Sequence, residues 1–213
     1  MENLPFDTEG IDIDEALLLQ ETYLALQAKF GIGISNTEQL TLNNFDLFNN
    51  NPYLSVAGIL SVNHPITKCY LSFIKIKDAY VCSHKGQGVD WTQPPDHFEY
   101  QVWGSIISKK DFGRVLIRRE TLTDKIVGLI HPIELEFKDD KPFSRKYYVV
   151  ANDKDKAMLA MNWNFRNSIM EISDERTVIE IAGNVLVMGI DQTIDKEQTV
   201  LLTENLLKLA SNC

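Results

Sequence analysis

The sequence has few of the residues that build disulfide frameworks, low-complexity segments or membrane spans. Its three cysteines, Cys69, Cys82 and Cys213, show no CxxC spacing, so we expect neither a disulfide framework nor a structural zinc site. Eleven glycines and seven prolines are too few for a low-complexity chain. No window approaches the ~18 apolar residues of a membrane-spanning helix, and no signal peptide is visible. We therefore predict a soluble protein of a reducing compartment, the cytoplasm.

Basic residues are scarce at the N-terminal end of the chain. Residues 1–60 carry nine carboxylates and one base, Lys29, and the rest of the chain is nearly neutral, so the net charge is −9. Nucleic acids and anionic lipid surfaces both require a basic footprint on the protein. We therefore expect no nucleic-acid partner.

Familiar catalytic and nucleotide-binding motifs are also missing. The chain contains no GxxxxGK[ST], GxSxG or HExxH. The glycine pairs at 31–33 and 86–88 lack the third glycine and the strand–helix setting of a dinucleotide fingerprint. We therefore predict no cofactor and no metal ligands, and the motifs leave open whether the protein is an enzyme.

Length and composition predict a single domain over residues 1–213. A chain of this length can bury one core, and 44% hydrophobic with 24% charged residues is typical of globular proteins. Residues 1–11 are interpreted as a polar lead-in. A helix should begin at Asp12 or Asp14, where carboxylates suit the positive end of the helix dipole. The apolar stripe predicted for this helix consists of Leu17, Leu18, Tyr23, Leu24 and Phe30.

Runs rich in β-branched and aromatic residues predict strands after Pro52. These strands span residues 53–62, 69–82, 100–108, 114–118, 126–137 and 143–150. A second helix, with Trp163 on its buried side, should follow a cap at Asn152 or Asp153. Gly183-Asn184 indicates a hairpin between residues 177–182 and 185–190, and residues 193–210 should form the last helix.

Strands mostly follow strands in this order, without crossover helices between them. The predicted fold class is therefore α+β, with an antiparallel or mixed β-sheet packed by N-terminal, middle and C-terminal helices.

Phe143, Tyr147, Val149, Asp153 and Ala157 follow one another in a strand and helix pattern, and a hairpin with a Gly-Asn turn comes after them. With this pattern, roughly residues 100–190 resemble the C-terminal half of a widespread bacterial family of domains of unknown function. The segment 113–118 resembles the family strand just upstream. The resemblance implies this fold class and a bacterial origin, but no activity. Many members carry a pair of membrane helices near the N-terminus, which this chain lacks.

A long loop over residues 83–98 holds several candidate functional residues. His84, Asp90, His97 and Glu99 could converge to form an active site; alternatively, they lie on a polar surface loop. Trp91 lies in the same loop. It could recognise a partner, or it could fold back over the core.

Arg114 and Arg118 form the second candidate site. On a strand over residues 114–118 they share one face, and that spacing suits the grip of a phosphate or carboxylate. The alternative is a solvated sheet face on which these arginines pair with Asp111, Glu120 or Asp124.

Together these features predict a non-enzymatic module that binds a protein partner or a small anionic ligand. The candidate binding residues are Trp91, His84, His97, Arg114 and Arg118. The alternative function is an enzyme of unrecognised type that uses the polar residues of the 83–98 loop, although no catalytic residue is identified. A membrane-proximal module is a third possibility, which rests on the family resemblance alone.

Overall fold

A single antiparallel sheet organises the part of the chain that the computed structural model describes, residues 4–35, 42–49, 53–77, 98–120 and 133–213. All neighbouring strands in this sheet are antiparallel. Its nine strands lie in the order β1-β2-β3-β4-β9-β8-β5-β7-β6. With the helices packed on it, the sheet confirms the predicted α+β fold class.

Most of the strands lie in predicted runs, although β1 was not predicted. Residues 78–82 and 126–132 of those runs lie outside the described residues, and the described end of the 126–137 run is a strand only at 133–134. The strands are β1 Ile32–Ser35, β2 Leu54–Val62, β3 Lys68–Lys77, β4 Phe98–Ile107, β5 Arg114–Arg119, β6 Ile133–Glu134, β7 Tyr147–Ala151, β8 Val178–Ala182 and β9 Val185–Gly189. The hairpin predicted from Gly183-Asn184 joins β8 to β9. Gly183 takes a φ of +64° there, a left-handed conformation that glycine adopts without strain.

Most of the helices begin at a side-chain cap. The helices are α1 Ile13–Lys29, α2 Asp46–Asn49, α3 Lys141–Lys146, α4 Lys154–Ala160, α5 Trp163–Met170 and α6 Lys196–Ala210. The side chains of Asp12, Asp140, Asp153, Asn162 and Asp195 each accept a backbone N–H three residues further on. The caps predicted at Asp12 and Asp153 are therefore confirmed. Within the described ranges, no helix combines the length and apolarity needed to cross a membrane.

One face of the sheet carries α1 and α6 and holds the main core. Leu71, Phe73 and Ile106 point to this face and are fully buried. α6 approaches β4 closely at Gly104, where a Cβ atom would lie 2.9 Å from Leu206 Cδ1. Any larger residue at position 104 would push the helix away from the strand.

The opposite face of the sheet is covered in part by residues 42–49. A short 3-10 turn, Leu42–Asn44, leads into α2 and places Phe45 and Phe48 on the sheet. The Phe48 ring lies edge-on to Trp103 at 5.2 Å. These aromatic rings form a second, smaller core.

The segment predicted as a polar lead-in, residues 1–11, contributes Phe6 to the core, whereas residues 7–10 are exposed. The Phe6 ring centroid lies 4.1 Å from that of Phe73. Lys75 Nζ lies 3.2 Å from Asp7 Oδ2, and the Tyr100 hydroxyl donates to the Asp7 carbonyl at 2.7 Å. Phe6 and Asp7 therefore attach this segment to the sheet.

Two predicted elements in the C-terminal half are wrong in their bounds. The strand predicted over 143–150 starts only at Tyr147, because Asp140 caps α3 and Pro142 lies in the first turn of this helix. The helix predicted after Asp153 divides into α4 and α5, because Asn162 caps a new helix. Trp163 begins α5 and is 60% exposed, so its predicted burial is also wrong.

The apolar stripe predicted for α1 is only partly correct: Leu18, Tyr23 and Phe30 pack against the main core, but Leu17 and Leu24 do not. Leu17 is 47% exposed and Leu24 is 46% exposed. The face of α1 that meets the core carries Ala16, Leu19 and Leu26. Both faces of this helix are apolar, so hydrophobic spacing alone cannot identify the buried one.

Candidate functional site

Arg114, one of the two arginines predicted to bind a ligand, is engaged within the protein. Its Nη1 lies 2.8 Å from Asp46 Oδ2 and 4.0 Å from Glu180 Oε1. Its Nη2 donates to the carbonyl of Asn44. Arg114 therefore pairs within the protein, as the alternative interpretation of the sequence had it. Its partners are Asp46 and Glu180, not Asp111, Glu120 or Asp124.

Glu180 holds the same segment from the sheet side. Its carboxylate is buried and accepts the backbone N–H groups of Asp46 at 2.9 Å and Leu47 at 3.1 Å. Burial raises the pKa of Glu180 above its ordinary value, even though the two N–H donors lower it. Arg114 and Glu180 therefore attach residues 42–49 to the sheet.

Arg118 lies on the same face as Arg114, as the strand spacing predicts. Its guanidinium lies 5.0 Å from the centre of the Tyr148 ring on the neighbouring strand β7. The Nε and Nη1 atoms of Arg118 are buried and have no hydrogen-bond partner among the residues described by the structure. These two atoms of Arg118 therefore have no acceptor within the described part of the chain.

The other predicted binding residues, Trp91, His84 and His97, lie outside the described residues, as does Asp90. Of that cluster only Glu99 is described, and its Oε2 accepts the hydroxyl of Thr193 at 3.2 Å. Within the described ranges, no group of three or more His, Cys, Asp or Glu side chains could hold a metal ion. The convergence proposed for an enzyme stays a prediction.

The thiols of Cys69 and Cys213 are poorly suited to nucleophilic chemistry. Burial raises the pKa of the Cys69 thiol to about 11 and that of the Cys213 thiol to about 12. The thiolate is the reactive form of cysteine, and at neutral pH its population at these two sites is very small.

A cavity of about 40 Å³ lies between α6, strands β4 and β9, and the loop that joins β9 to α6. Its floor is apolar and is formed by Val102, Met188, Ile194 and Leu202. A water molecule needs roughly 10–15 Å³ of such volume, so this space suits a few waters or the end of a small organic molecule.

The loop that borders this cavity is fixed to β4 by hydrogen bonds. The Ile194 N–H donates to the Tyr100 carbonyl, and Gln101 Nε2 donates to Asp191 Oδ1 at 2.6 Å. The Asp195 side chain caps α6 through the Gln198 N–H. These contacts hold the cavity wall in a fixed position before any ligand arrives.

The rim of the cavity carries Asp174, which forms an ion pair with Arg176. Arg176 Nη2 lies 2.7 Å from Asp174 Oδ2. Hydrogen bonds from Arg176 lower the pKa of Asp174, so its carboxylate is ionised at neutral pH. Arg176 also donates to Gln192 across the rim.

Asn205 is one of several polar side chains of this cavity that sequence reasoning missed. It is 7% exposed and borders the cavity, and its carboxamide makes no hydrogen bond with any residue in the described part of the chain. Thr199 and Thr203, by contrast, donate their hydroxyls to helix carbonyls at 2.7 Å and 2.8 Å. The sequence did contain a clue to Asn205. It lies three residues after Leu202 and four before Leu209, so it is a polar residue on the apolar side of α6.

Comparisons with known proteins give the fold and no family. No family model matches the chain, and no curated protein matches it. The crystal structure of the mycobacterial trehalose monomycolate transport factor A, TtfA, is similar with a TM-score of 0.56. The similarity covers 92% of this chain and 94% of that chain at 9% sequence identity. At this identity the comparison supports the α+β fold alone.

Proposed function

We propose that this protein is a non-enzymatic binding module that takes up a small uncharged organic ligand in the cavity beneath α6. The observation that carries the proposal is Asn205, a residue that is 7% exposed, borders the cavity and makes no side-chain hydrogen bond with the described residues. Its carboxamide can donate to and accept from a polar group that enters the cavity. A ligand with an amide or hydroxyl head would satisfy this group.

The surroundings of Asn205 favour a neutral ligand with a short apolar body. Met188 and Val102 provide an apolar floor, on which a charged group would lose its hydration without compensation. The proposed ligand is therefore a small amide or alcohol with a branched aliphatic group.

Isobutyramide is a suitable probe because it combines a carboxamide with a branched apolar group. We expect it to bind with a Kd of about 1 mM or below, as is usual for a ligand of this size. The titration would follow backbone amide signals by NMR, and shifts should concentrate at the cavity wall. Isobutyrate, which has the same shape and a negative charge, should bind at least about tenfold more weakly.

The variant Asn205→Leu removes the polar head of the site at nearly constant volume. We expect it to weaken isobutyramide binding about tenfold, in line with the loss of one buried hydrogen bond. Asn167→Leu, at an exposed position on α5, is the matched control and should bind like the parent protein. Equal binding by the parent and Asn205→Leu, or no shifts at the cavity, would refute the proposal.

A second candidate function, recognition of an anionic group, is favoured by Arg118. Its two unpartnered N–H-bearing atoms, next to the Tyr148 ring, could hold a carboxylate or phosphate of a ligand or protein partner. Trp91, His84 and His97 are the other residues that the sequence predicts for this binding surface.

Calorimetric titration with inorganic phosphate would test the Arg118 site. We expect millimolar binding that Arg118→Gln reduces about tenfold, the equivalent of one charge-assisted hydrogen bond. Arg145→Gln, at an exposed position on α3, is the control. Phosphate binding that is unaffected by Arg118→Gln would exclude this residue as the anion site.

We also propose that the protein is bacterial and cytoplasmic. Cys69 and Cys213 are free, which supports a reducing compartment. The resemblance over roughly residues 100–190 to the bacterial family of unknown function supports a bacterial origin.

A further inference from the structure

Three polar residues in the wall of the cavity beneath α6 are buried, and they differ in their hydrogen bonding. Thr177 is 8% exposed, Thr199 is 3% exposed and Asn205 is 7% exposed. The Thr199 hydroxyl donates to the Asp195 carbonyl at 2.7 Å, so it already has an acceptor. The side chains of Thr177 and Asn205 make no hydrogen bond with the described residues. The wall therefore offers a ligand a second polar group besides Asn205.

Thr177 lies on the side of the sheet that carries the apolar floor of the cavity. It precedes β8 and lies two residues before Ile179, which is buried in the main core. Because side chains alternate along an extended chain, positions 177 and 179 share one face. Met188 lies opposite Ile179 in the β8–β9 pair and forms part of the floor. Thr177 therefore borders the cavity from the sheet side, whereas Asn205 borders it from the helix.

The turn before β8 holds the backbone of Thr177 in place. Its N–H donates to the Asp174 carbonyl at 3.3 Å. Asp174 Oδ1 accepts the backbone N–H of Arg176 at 2.9 Å, and the Arg176 guanidinium forms an ion pair with the same carboxylate. These bonds order the turn without using the Thr177 hydroxyl. A ligand that meets this hydroxyl therefore binds to a wall that is already positioned.

A buried hydroxyl group makes the site selective. A threonine hydroxyl supplies one donor and two acceptor lone pairs, and a carboxamide supplies two donors and an acceptor. A ligand that bonds to Asn205 alone displaces water from Thr177 and leaves its hydroxyl against apolar atoms, which costs free energy. A site that hydrogen-bonds a hydroxyl of its ligand discriminates against the analogue that lacks it.

We propose that Thr177 is a second polar anchor of the cavity and selects neutral ligands that carry a hydroxyl group besides their amide or alcohol head. The inference rests on the proposed function, because it concerns the same cavity. Asn205 binds the head from α6, Val102 and Met188 contact the branched body, and Thr177 binds the added hydroxyl. The ligand class is thereby narrowed from simple amides and alcohols to hydroxy amides and diols.

Isobutyramide and 3-hydroxyisobutyramide form a matched pair of probes, since the second differs only by a hydroxyl on one methyl group. In NMR titrations of the full chain, both should shift backbone amide signals at the cavity wall. The parent protein should bind 3-hydroxyisobutyramide about fivefold more tightly than isobutyramide, the usual gain from one additional neutral hydrogen bond.

Variants at two threonines test the assignment. Thr177→Val keeps the shape of the side chain and removes its hydroxyl, so it should reverse the preference, because the ligand hydroxyl then loses its hydration without a partner. Thr177→Ser retains a hydroxyl and should keep the preference. Thr193→Val is the control, because Thr193 is exposed on the rim of the cavity and its hydroxyl donates to Glu99. This control should prefer the hydroxy amide as the parent protein does.

Failure of the Thr177 assignment can be distinguished from failure of the proposed function. Isobutyramide binding by Thr177→Val shows that its cavity is intact. If isobutyramide shifts the cavity signals but the parent protein binds both probes equally, or if the preference survives in Thr177→Val, the role of Thr177 is overturned and the cavity remains a binding site. If neither probe shifts these signals, the proposed function and the Thr177 assignment are both wrong.

Discussion

Replacing Arg166 by methionine should lower the free energy of unfolding by about 3–5 kcal/mol, the usual cost of removing one partner from a buried ion pair. The Arg166 side chain is 4% exposed, and its guanidinium contacts Asp139 at 2.7 Å and Asp140 at 3.0 Å. It also donates to the Met161 carbonyl at 2.9 Å and lies 4.6 Å from the centre of the Phe137 ring. Methionine fills similar space but satisfies none of these acceptors.

The loss should be large because Asp140 has two roles. Its Oδ2 accepts from Arg166, and its Oδ1 caps α3 through the Phe143 N–H at 3.2 Å. Its side chain is 14% exposed, so without Arg166 a poorly hydrated carboxylate remains beside α5. Arg166 also links the turn before α3 to the end of α4, and the variant loses this link.

Urea unfolding of the parent protein and of Arg166→Met would measure this cost. Arg176→Met is the matched control, because the Arg176–Asp174 pair has similar geometry but its arginine side chain is 46% exposed. A solvent-exposed pair contributes about 0–1 kcal/mol, so the control should lose no more than that. If both variants lost a similar free energy of unfolding, burial of Arg166 would not explain its contribution to stability.

Features encoded by neighbouring residues could be predicted from the sequence. The caps at Asp12 and Asp153 and the Gly183 turn each depend on residues within three positions of one another. Most strand runs were also recognisable, because β-branched and aromatic residues cluster in them. The antiparallel sheet followed from the order of these elements.

Features that depend on distant residues could not be predicted. The ligand-like spacing of Arg114 and Arg118 was correct, but Arg114 is paired with Asp46, 68 positions earlier, which no local pattern reveals. The cavity beneath α6 likewise requires β4 and β9 to meet the helix. Asn205 was recognisable only as a polar residue on an apolar face, and that signal does not say what it faces.

The exposed leucines of α1 show a different limit of sequence reasoning. Leu17 and Leu24 have the spacing of a core stripe, and the sheet packs instead on Leu19 and Leu26. Periodicity identifies apolar faces but does not rank them when a helix has two.

Replacing Glu180 by alanine should lower the free energy of unfolding by about 3 kcal/mol, because two buried N–H groups lose their acceptor. The Asp46 and Leu47 amides would be left unpaired next to the sheet. Hydrogen exchange of these two amides should accelerate more than that of the strand amides of β8. Glu180→Gln keeps an acceptor in place and should cost about 1 kcal/mol or less.

The pH dependence of the Glu180→Gln difference tests the state of the carboxyl group. Burial raises the folded pKa of Glu180 above its ordinary value of 4.5, so its neutral form is the one that folding favours. The stabilisation from proton uptake is fully present below the unfolded pKa and is lost as the pH rises through the folded pKa. Glutamine stays neutral throughout, so the stability of the parent protein relative to Glu180→Gln should fall as the pH rises from about 4 toward neutrality. A relative stability that rises over this range would mean that the two N–H donors outweigh burial, and that residues 42–49 are held by an ionised carboxylate.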